Sequence, residues 1–504
     1  MKKIKRILVS VYNKEPVIPL IKILDNLGLE IISTGGTKEA LEKNNIKVLS
    51  VESITEYPSI LGGRVKTLHP KIFGGILRRD DTKSDMEELH SFSIPQIDMV
   101  IVDLYPFEET VKSGGAYSDI IEKIDIGGVS LIRAAAKNYN DVLVISSIEM
   151  LQQVVPNITA KNGHSSLEER RHFAAQTFQL TAHYEIKISN FFNNAISNNY
   201  FQRSVGGLLK LRYGENPHQK GFFYGNIKNM FEQLGGKELS YNNLLDSDAA
   251  ISLMSDFTQS SFGILKHNNA CGFCSNNNIA TAFKRALESD PVSAFGGVLI
   301  SNKTINKECA DEINKLFFEI IIAPDFSSEA LSLLKSKKNR IILKKKNLKL
   351  DNLSYRTVLN GVLCQDKDNL IDGDSCKIIS KTKPSEGQMK DLLFASKICK
   401  HTKSNTIVLA KNNQLLASGC GQTSRVDALK QAIQKAKNFG QKLDGAVMAS
   451  DAFFPFPDCV EIAHNAGIRA IIQPGGSKND HLSIDYCNNN KLAMVFTGIR
   501  HFKH

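Results

Sequence analysis

Gly62-Gly63-Arg64-Val65-Lys66-Thr67-Leu68-His69-Pro70 sets two cations, a hydroxyl and an imidazole beside a flexible glycine pair. In an extended segment Arg64 and Lys66 fall on one side, which suits a phosphate. A solvated surface loop is the plainer alternative. Ser33-Thr34-Gly35-Gly36-Thr37 follows an apolar run and opens a helical pattern. Free N–H groups at a helix start favour an anion, and threonine hydroxyls add donors; an ordinary strand-to-helix turn reads the same way. Asp125-Ile126-Gly127-Gly128 places a carboxylate beside two glycine N–H groups. That arrangement joins a base to an anion-stabilising nest, or simply caps a helix. Lys266-His267 ends another apolar run. A histidine takes a proton near neutral pH, and a lysine stabilises developing negative charge. Adjacent strand residues face opposite ways, so the pair must sit where the strand ends. In isolation such a dipeptide is a surface pair.

These groups need elements to hold them. Arg6–Val11, Leu29–Ser33, Met99–Leu104 and Val142–Ser146 read as apolar strands. Helical spacing runs over Val17–Leu27, stopping at Gly28, then Thr37–Lys43 and Val129–Ala136. Alternation of this kind predicts a parallel sheet over residues 1–148, with ligands beyond the carboxyl ends of its strands. Residues 149–200 read as a mainly helical connector, with one long helix from Leu167 to about Asn193. Residues 201–504 carry a duplication. Phe262–Asn269 resembles Thr406–Asn413, Gly297–Ser301 resembles Ala446–Ser450, and Ile321–Pro324 resembles Ile471–Pro474, at offsets of 144, 149 and 150. Two α/β subdomains of common ancestry are expected there, with chemistry in the cleft between them.

Composition narrows the class. The chain has 504 residues, 42% hydrophobic and 23% charged, which excludes a mostly disordered protein. No apolar run approaches the roughly 20 residues that span a bilayer. The N-terminal Ile7–Val11 stretch is too short for a signal peptide, so a cytoplasmic location is expected. Nine scattered cysteines suggest reduced thiols. The net charge of +11 favours anionic partners without choosing among them.

The motifs STGGT, GGRVKTLHP, LYPF at Leu104–Phe107 and IDIGG at Ile124–Gly128 stand in an order that closely resembles the bifunctional purine-biosynthesis family. That family joins IMP cyclohydrolase to a transformylase acting on 5-aminoimidazole-4-carboxamide ribonucleotide (AICAR). Leu211–Gln219 resembles the family's LRYGxNPHQ. Asp290–Gly297, Lys403-Ser404-Asn405, Ser424-Arg425, Ser450–Asp458 and Thr497–Phe502 extend the likeness to the last residues. Tyr12 and Glu15 stand where the family usually has small hydroxyl residues, Asp103 replaces an Asn, and Ala270 replaces a Pro.

The resemblance implies a methylglyoxal-synthase-like parallel-sheet domain at 1–148, the connector at 149–200, and a duplicated cytidine-deaminase-like α/β transformylase domain at 201–504. It implies formyl transfer from 10-formyltetrahydrofolate to AICAR, giving FAICAR, then cyclisation of FAICAR to IMP with loss of water. Lys266, His267 and Asn405 would serve the first step. Lys66, Tyr105, Asp125 and Lys137 would serve the second. Phosphate contacts would come from Lys14, Thr34, Gly36, Thr37, Arg64 and Thr67, with the Gly127 and Gly128 amides assisting. Arg212, Tyr213, Gly296, Glu319, Arg425, Phe453, Asp458 and Arg500 would bind nucleotide or folate. The implied partners are AICAR, FAICAR, IMP and reduced folate, in a homodimer, with no catalytic metal, nucleic acid or membrane.

Two other classes fit isolated features. Cys271-Gly-Phe-Cys274 has zinc-deaminase spacing, but no His-x-Glu motif lies suitably upstream. The positive charge suits nucleic acid, but the basic clusters lack interleaved aromatics and no binding motif is present.

Overall fold

Runs of β-branched and aliphatic residues at 6–10, 30–33, 48–50, 99–102 and 143–145 build the sheet of the first unit. The computed structural model describes residues 1–193, 199–348, 350–373 and 375–504. The chain divides into two units, Met1–Val205 and Gly206–His504.

In the first unit β1 (Arg6–Ser10), β2 (Glu30–Ser33), β3 (Val48–Ser50), β4 (Met99–Val102) and β5 (Leu143–Ile145) form one sheet in the order β3-β2-β1-β4-β5. Every pairing is parallel. Side chains alternate across it: Ile7, Val9, Ile31 and Ile101 face one core, Leu8, Ile32, Val100 and Val144 the other. Both faces are therefore covered, as a parallel sheet requires. The order reverses direction between β1 and β4, so the loops after these strands diverge and leave a crevice.

Residues 149–200, expected as a connector, fall within this unit's contacts. The helix Ile148–Ala160 puts Leu151, Val154, Val155 and Ile158 into the first core. The helix Leu167–Phe192 starts at a Ser166–Glu169 capping box and lies on the helix Gly127–Lys137 and on β5. Residues 194–198 of the expected connector lie outside the described residues.

The second unit is built on a twelve-stranded mixed sheet. Its strands are β6 (Phe231–Gly235), β7 (Ser261–Lys266), β8 (Asn269–Ser275), β9 (Gly297–Ser301), β10 (Phe318–Ala323), β11 (Ile341–Lys345), β12 (Lys377–Ile378), β13 (Ile407–Lys411), β14 (Gln414–Gly419), β15 (Val447–Ser450), β16 (Ala470–Gln473) and β17 (Ala493–Phe496). The order is β6-β11-β10-β9-β7-β8-β14-β13-β15-β16-β17-β12. Read outward from the β8–β14 junction, each half repeats the other: a hairpin, three parallel strands and an antiparallel edge. The duplication expected from the three matched strings is thus a symmetry of the sheet. The helices Tyr241–Ser255 and Glu386–Lys400 occupy matching places, each begun by a serine capping box, and share one apolar core.

Candidate active sites

In the first unit the candidate groups gather at the carboxyl edge of the sheet. Gly35, at φ 53°, opens the helix Gly35–Lys43 after β2. A Cβ on Gly35 would lie 3.1 Å from Lys66 Nζ, and one on Gly36 would lie 3.2 Å from Lys14 Cε. Two ammonium arms therefore lean on one helix N-terminus. A Cβ on Gly63 would meet Lys66 Cε at 2.6 Å, so glycine there lets the arm fold across. Thr67 is buried, with its hydroxyl 3.5 Å from a Cβ position on Gly127, where the helix Gly127–Lys137 begins. Residues 66 and 67 thus join two helix N-termini, each a source of free N–H groups.

Four expected phosphate ligands have protein partners in the structure, Lys14 Nζ donating to Tyr12 O at 3.1 Å. The Thr37 hydroxyl donates to Val11 O at 2.9 Å and accepts from Val11 N at 3.1 Å. Thr34 donates to Glu52 at 2.7 Å. Arg64 pairs with Glu122, both well exposed. Such an exposed pair is worth about 0–1 kcal/mol, so an anion can displace Glu122 at little cost.

Asp125 accepts the N–H of Gly128 at 2.6 Å, and the N–H groups of Tyr105 and Val129 also face it. It caps the helix and faces the site at once. Burial pushes its carboxyl above the ordinary value despite those N–H groups. Burial, then the Asp125 charge, raises the Tyr105 phenol. Tyr12 meets Tyr105 edge-on at 5.6 Å, and Lys123 Nζ lies 5.0 and 5.7 Å from the two rings. Asp103 accepts the N–H groups of Tyr12 and Asn13, two bonds that an asparagine's single carbonyl oxygen is less suited to make. Lys137 is the last residue of the helix that Gly127 opens, about 15 Å away at 1.5 Å per residue.

Tyr184, from the helix Leu167–Phe192, escapes a motif search. Its hydroxyl accepts the Asp125 N–H at 2.9 Å and donates to Lys123 O at 2.6 Å, which pins the turn carrying the carboxylate.

In the second unit, His267 and Asn268 form the two-residue turn between β7 and β8, at φ 51° and 66°. A turn of this hand favours Asn and Gly; a histidine held in the left-handed region costs on the order of 1–3 kcal/mol. Lys266 Nζ donates to Phe295 O at 2.8 Å, next to Gly296 at φ 73°. Gly297 pairs with Phe318, which sets Glu319 nearby, where it meets Lys237 at 2.7 Å.

Asn269 ties this turn to the next candidate. Its amide donates to His267 O at 2.8 Å, and its carbonyl accepts the N–H of Lys403 at 3.1 Å. Asn405 donates from Nδ2 to Gln422 O and Thr423 O at 2.9 and 3.2 Å, which leaves its carbonyl oxygen as the group to offer. Ser404 and Lys503 exchange bonds of 2.9 and 3.1 Å, drawing in the C-terminal segment. There Arg500 and Arg425 approach the Phe502 ring at 4.4 and 5.8 Å. Asn268, Lys403, Arg500 and Phe502 line a cleft of roughly 1320 Å³. Phe453 and Asp458 are exposed beyond β15, Asp458 at the first turn of the helix Asp458–Asn465. Arg212 stacks on Tyr213 at 5.4 Å. Of the residues expected to serve formyl transfer, only Arg500 lines the cleft; Lys266, His267, Asn405, Arg425, Arg212 and Tyr213 lie off it.

Residues 135–435 match the AICARFT/IMPCHase bienzyme family, and residues 16–130 match the MGS-like domain. A bifunctional purine biosynthesis protein PurH of Bacteroides thetaiotaomicron is 57% identical over 504 residues, covering 100% of this chain and 99% of its own. The chain belongs to the AICARFT/IMPCHase bienzyme family. PurH proteins of Caldicellulosiruptor saccharolyticus and Aquifex aeolicus are each 46% identical, over 99% of this chain and 100% of theirs. This AICARFT/IMPCHase bienzyme is thus a bifunctional enzyme of purine biosynthesis, an MGS-like α/β domain followed by the bienzyme domain. The deaminase alternative is not supported. Cys271 and Cys274 are buried in an apolar core, and burial pushes their thiols up to about 12 and about 11. Among the described residues no group of three or more metal-ligating side chains is found, and no helix is long and apolar enough to cross a membrane.

Proposed function

We propose that the second unit transfers a formyl group from 10-formyltetrahydrofolate to AICAR, and that the first closes FAICAR to IMP. The observation that carries this reading is His267. A histidine stands in a left-handed turn position that asparagine fills in the matching half, and such strain persists where function requires it.

For formyl transfer, the 5-amino nitrogen of AICAR attacks the formyl carbon. Its lone pair is delocalised into the ring, so a proton must leave as the bond forms. His267 takes that proton, and Lys266 steadies the oxyanion of the tetrahedral intermediate. The bond from the formyl carbon to folate N10 then breaks, and N10 leaves with a proton. Asn405 offers its carbonyl oxygen to orient the reacting groups. Arg425 and Arg500 hold anionic groups, Gly296 and Glu319 flank the Lys266 side, and Phe453 and Asp458 receive the pterin. Holding both substrates in attack geometry is worth up to about 7–11 kcal/mol.

For ring closure, the carboxamide nitrogen attacks the formyl carbon. One proton from that nitrogen and one from the formamido nitrogen depart with the formyl oxygen as water. Asp125, its basicity raised by burial, takes the proton from the carboxamide. Lys66 and Tyr105 face the oxygen, with the Gly127 and Gly128 amides assisting. Lys14, Gly36, Arg64 and Thr67 hold the phosphate at the two helix N-termini. Thr34 and Thr37 shape that loop through Glu52 and Val11.

Arg212 and Tyr213, stacked on one another, complete the nucleotide site in a cytoplasmic homodimer. Neither step calls for a metal, a membrane or a nucleic acid. Separate assays of the two half-reactions test the reading: AICAR with 10-formyltetrahydrofolate for the first, FAICAR alone for the second. A well-folded protein that consumes no folate donor and makes no IMP from FAICAR contradicts it.

A further inference from the structure

The two halves of the second unit carry one local device twice. In one, His267 and Asn268 turn between β7 and β8; in the other, Asn412 and Asn413, both at φ 54°, turn between β13 and β14. The lysines before the turns behave alike. Lys266 donates to Phe295 O at 2.8 Å and Lys411 to Asp444 O at 2.6 Å, each oxygen lying just ahead of the matching strand. The aspartate at the sixth position of each matching helix faces its turn. Asp391 accepts the N–H groups of Asn412 and Asn413, both at 2.7 Å. Asp246 accepts the N–H of Asn268 at 2.8 Å. The Asn268 side chain faces the same carboxylate and Leu245 O, at 3.0 and 3.1 Å; both are acceptors, so the amide nitrogen points there. The copies differ in the residue the turn displays, His267 against Asn412, and in the brace: Asp246 takes the N–H and the side-chain amide of Asn268, where Asp391 takes the N–H groups of both turn residues.

From this we infer that Asp246 is the positioning residue of the formyl-transfer site: its carboxylate locks the His267–Asn268 turn and so aims the imidazole at the reacting amine. Asp391 does the same mechanical work where nothing is aimed. The lysine-to-carbonyl contact is common to both copies, so it belongs to the fold. The histidine, which bears the left-handed strain, is what depends on the brace. This inference rests on the reading of Lys266 and His267 as the formyl-transfer pair.

The matched copy supplies its own control. Asp246→Asn keeps the shape but turns a charge-assisted acceptor into a weaker one. The expected result is a kcat for formyl transfer at least tenfold lower, with KM for AICAR and for 10-formyltetrahydrofolate within twofold of the wild type. Asp391→Asn, which loosens the sister turn, should leave both parameters within twofold. Asp246→Glu retains the carboxylate on a longer arm and should give an intermediate kcat. It also carries the test alone should Asp246→Asn fail to fold. Equal losses in Asp246→Asn and Asp391→Asn, or a wild-type kcat in the Asp246 variants that fold, would overturn the inference. His267→Ala separates the two claims: full formyl transfer in that variant removes the underlying reading, whereas loss in His267→Ala with none in Asp246→Asn removes only the positioning role.

Discussion

Asp256 and His401 stand at the same place in the two halves of the second unit, 145 residues apart, and they meet there with His401 Nε2 2.7 Å from Asp256 Oδ2. Each is the residue that ends its matching helix. Lys400 Nζ, also buried, lies 3.0 Å from the same oxygen. Burial pushes the His401 imidazole below its ordinary 6.5, with the Lys503 and Lys400 charges adding to that and Asp256 opposing. At neutral pH the ring is therefore a neutral donor to Asp256, and Lys400 balances the carboxylate. A depressed histidine contributes stability that is whole above about 6.5 and is lost as pH falls through the folded value. Each unit of displacement is worth about 1.4 kcal/mol. Melting temperature between pH 8 and 5 should fall less steeply in His401→Gln than in the wild type. Parallel curves would contradict this.

Gly128 packs directly against the Asp125 carboxylate. A Cβ there would meet Asp125 Oδ2 at 2.5 Å and Cγ at 2.9 Å. Gly128→Ala must displace the carboxylate or lose the 2.6 Å bond from its N–H. Bonds to charged groups are worth about 1.5–3 kcal/mol, so ring closure should fall roughly 10- to 100-fold. FAICAR cyclisation followed by absorbance measures this, and formyl transfer should not change.

Tyr184 acts on the same carboxylate from behind. Tyr184→Phe removes the hydroxyl that joins the Asp125 N–H to Lys123 O and leaves both groups without that partner. About 1–3 kcal/mol is expected for such a loss, shared between stability and the rate of ring closure. Burial pushes this phenol up to about 12, so it stays neutral and the effect should not vary from pH 6 to 9.

Asp125 must be ionised to act as a base. Its raised carboxyl predicts that ring closure climbs with pH through a midpoint above the ordinary 3.8. The kcat profile for FAICAR cyclisation reads that midpoint. A rate flat from pH 4 to 8 would remove Asp125 as the base.

Much of this was legible in the chain. Four of the five parallel strands announce themselves as short aliphatic runs, Val48–Ser50 being too short to stand out, and the helix Leu167–Phe192 shows as a stretch without Pro or Gly. The duplication survives as matched strings in register. What was hidden depends on contacts between distant residues. Thr37 looks like a phosphate ligand until its hydroxyl is found on Val11, 26 residues away. Tyr184 reaches Asp125 across 59 residues, and nothing near either one marks the pair. Lys137 stands ten residues of helix beyond Gly127, so the order of the motifs does not show how it reaches the ring-closing group. The connector at 149–200 looked separate because its polar face dominates the sequence, while its buried positions face the sheet.

The most direct test assays both half-reactions in the two single variants Asp125→Asn and His267→Ala. The first should keep formyl transfer and lose ring closure; the second should lose formyl transfer and still convert FAICAR to IMP. A folded single variant in which both activities disappear would contradict separate sites on the two units.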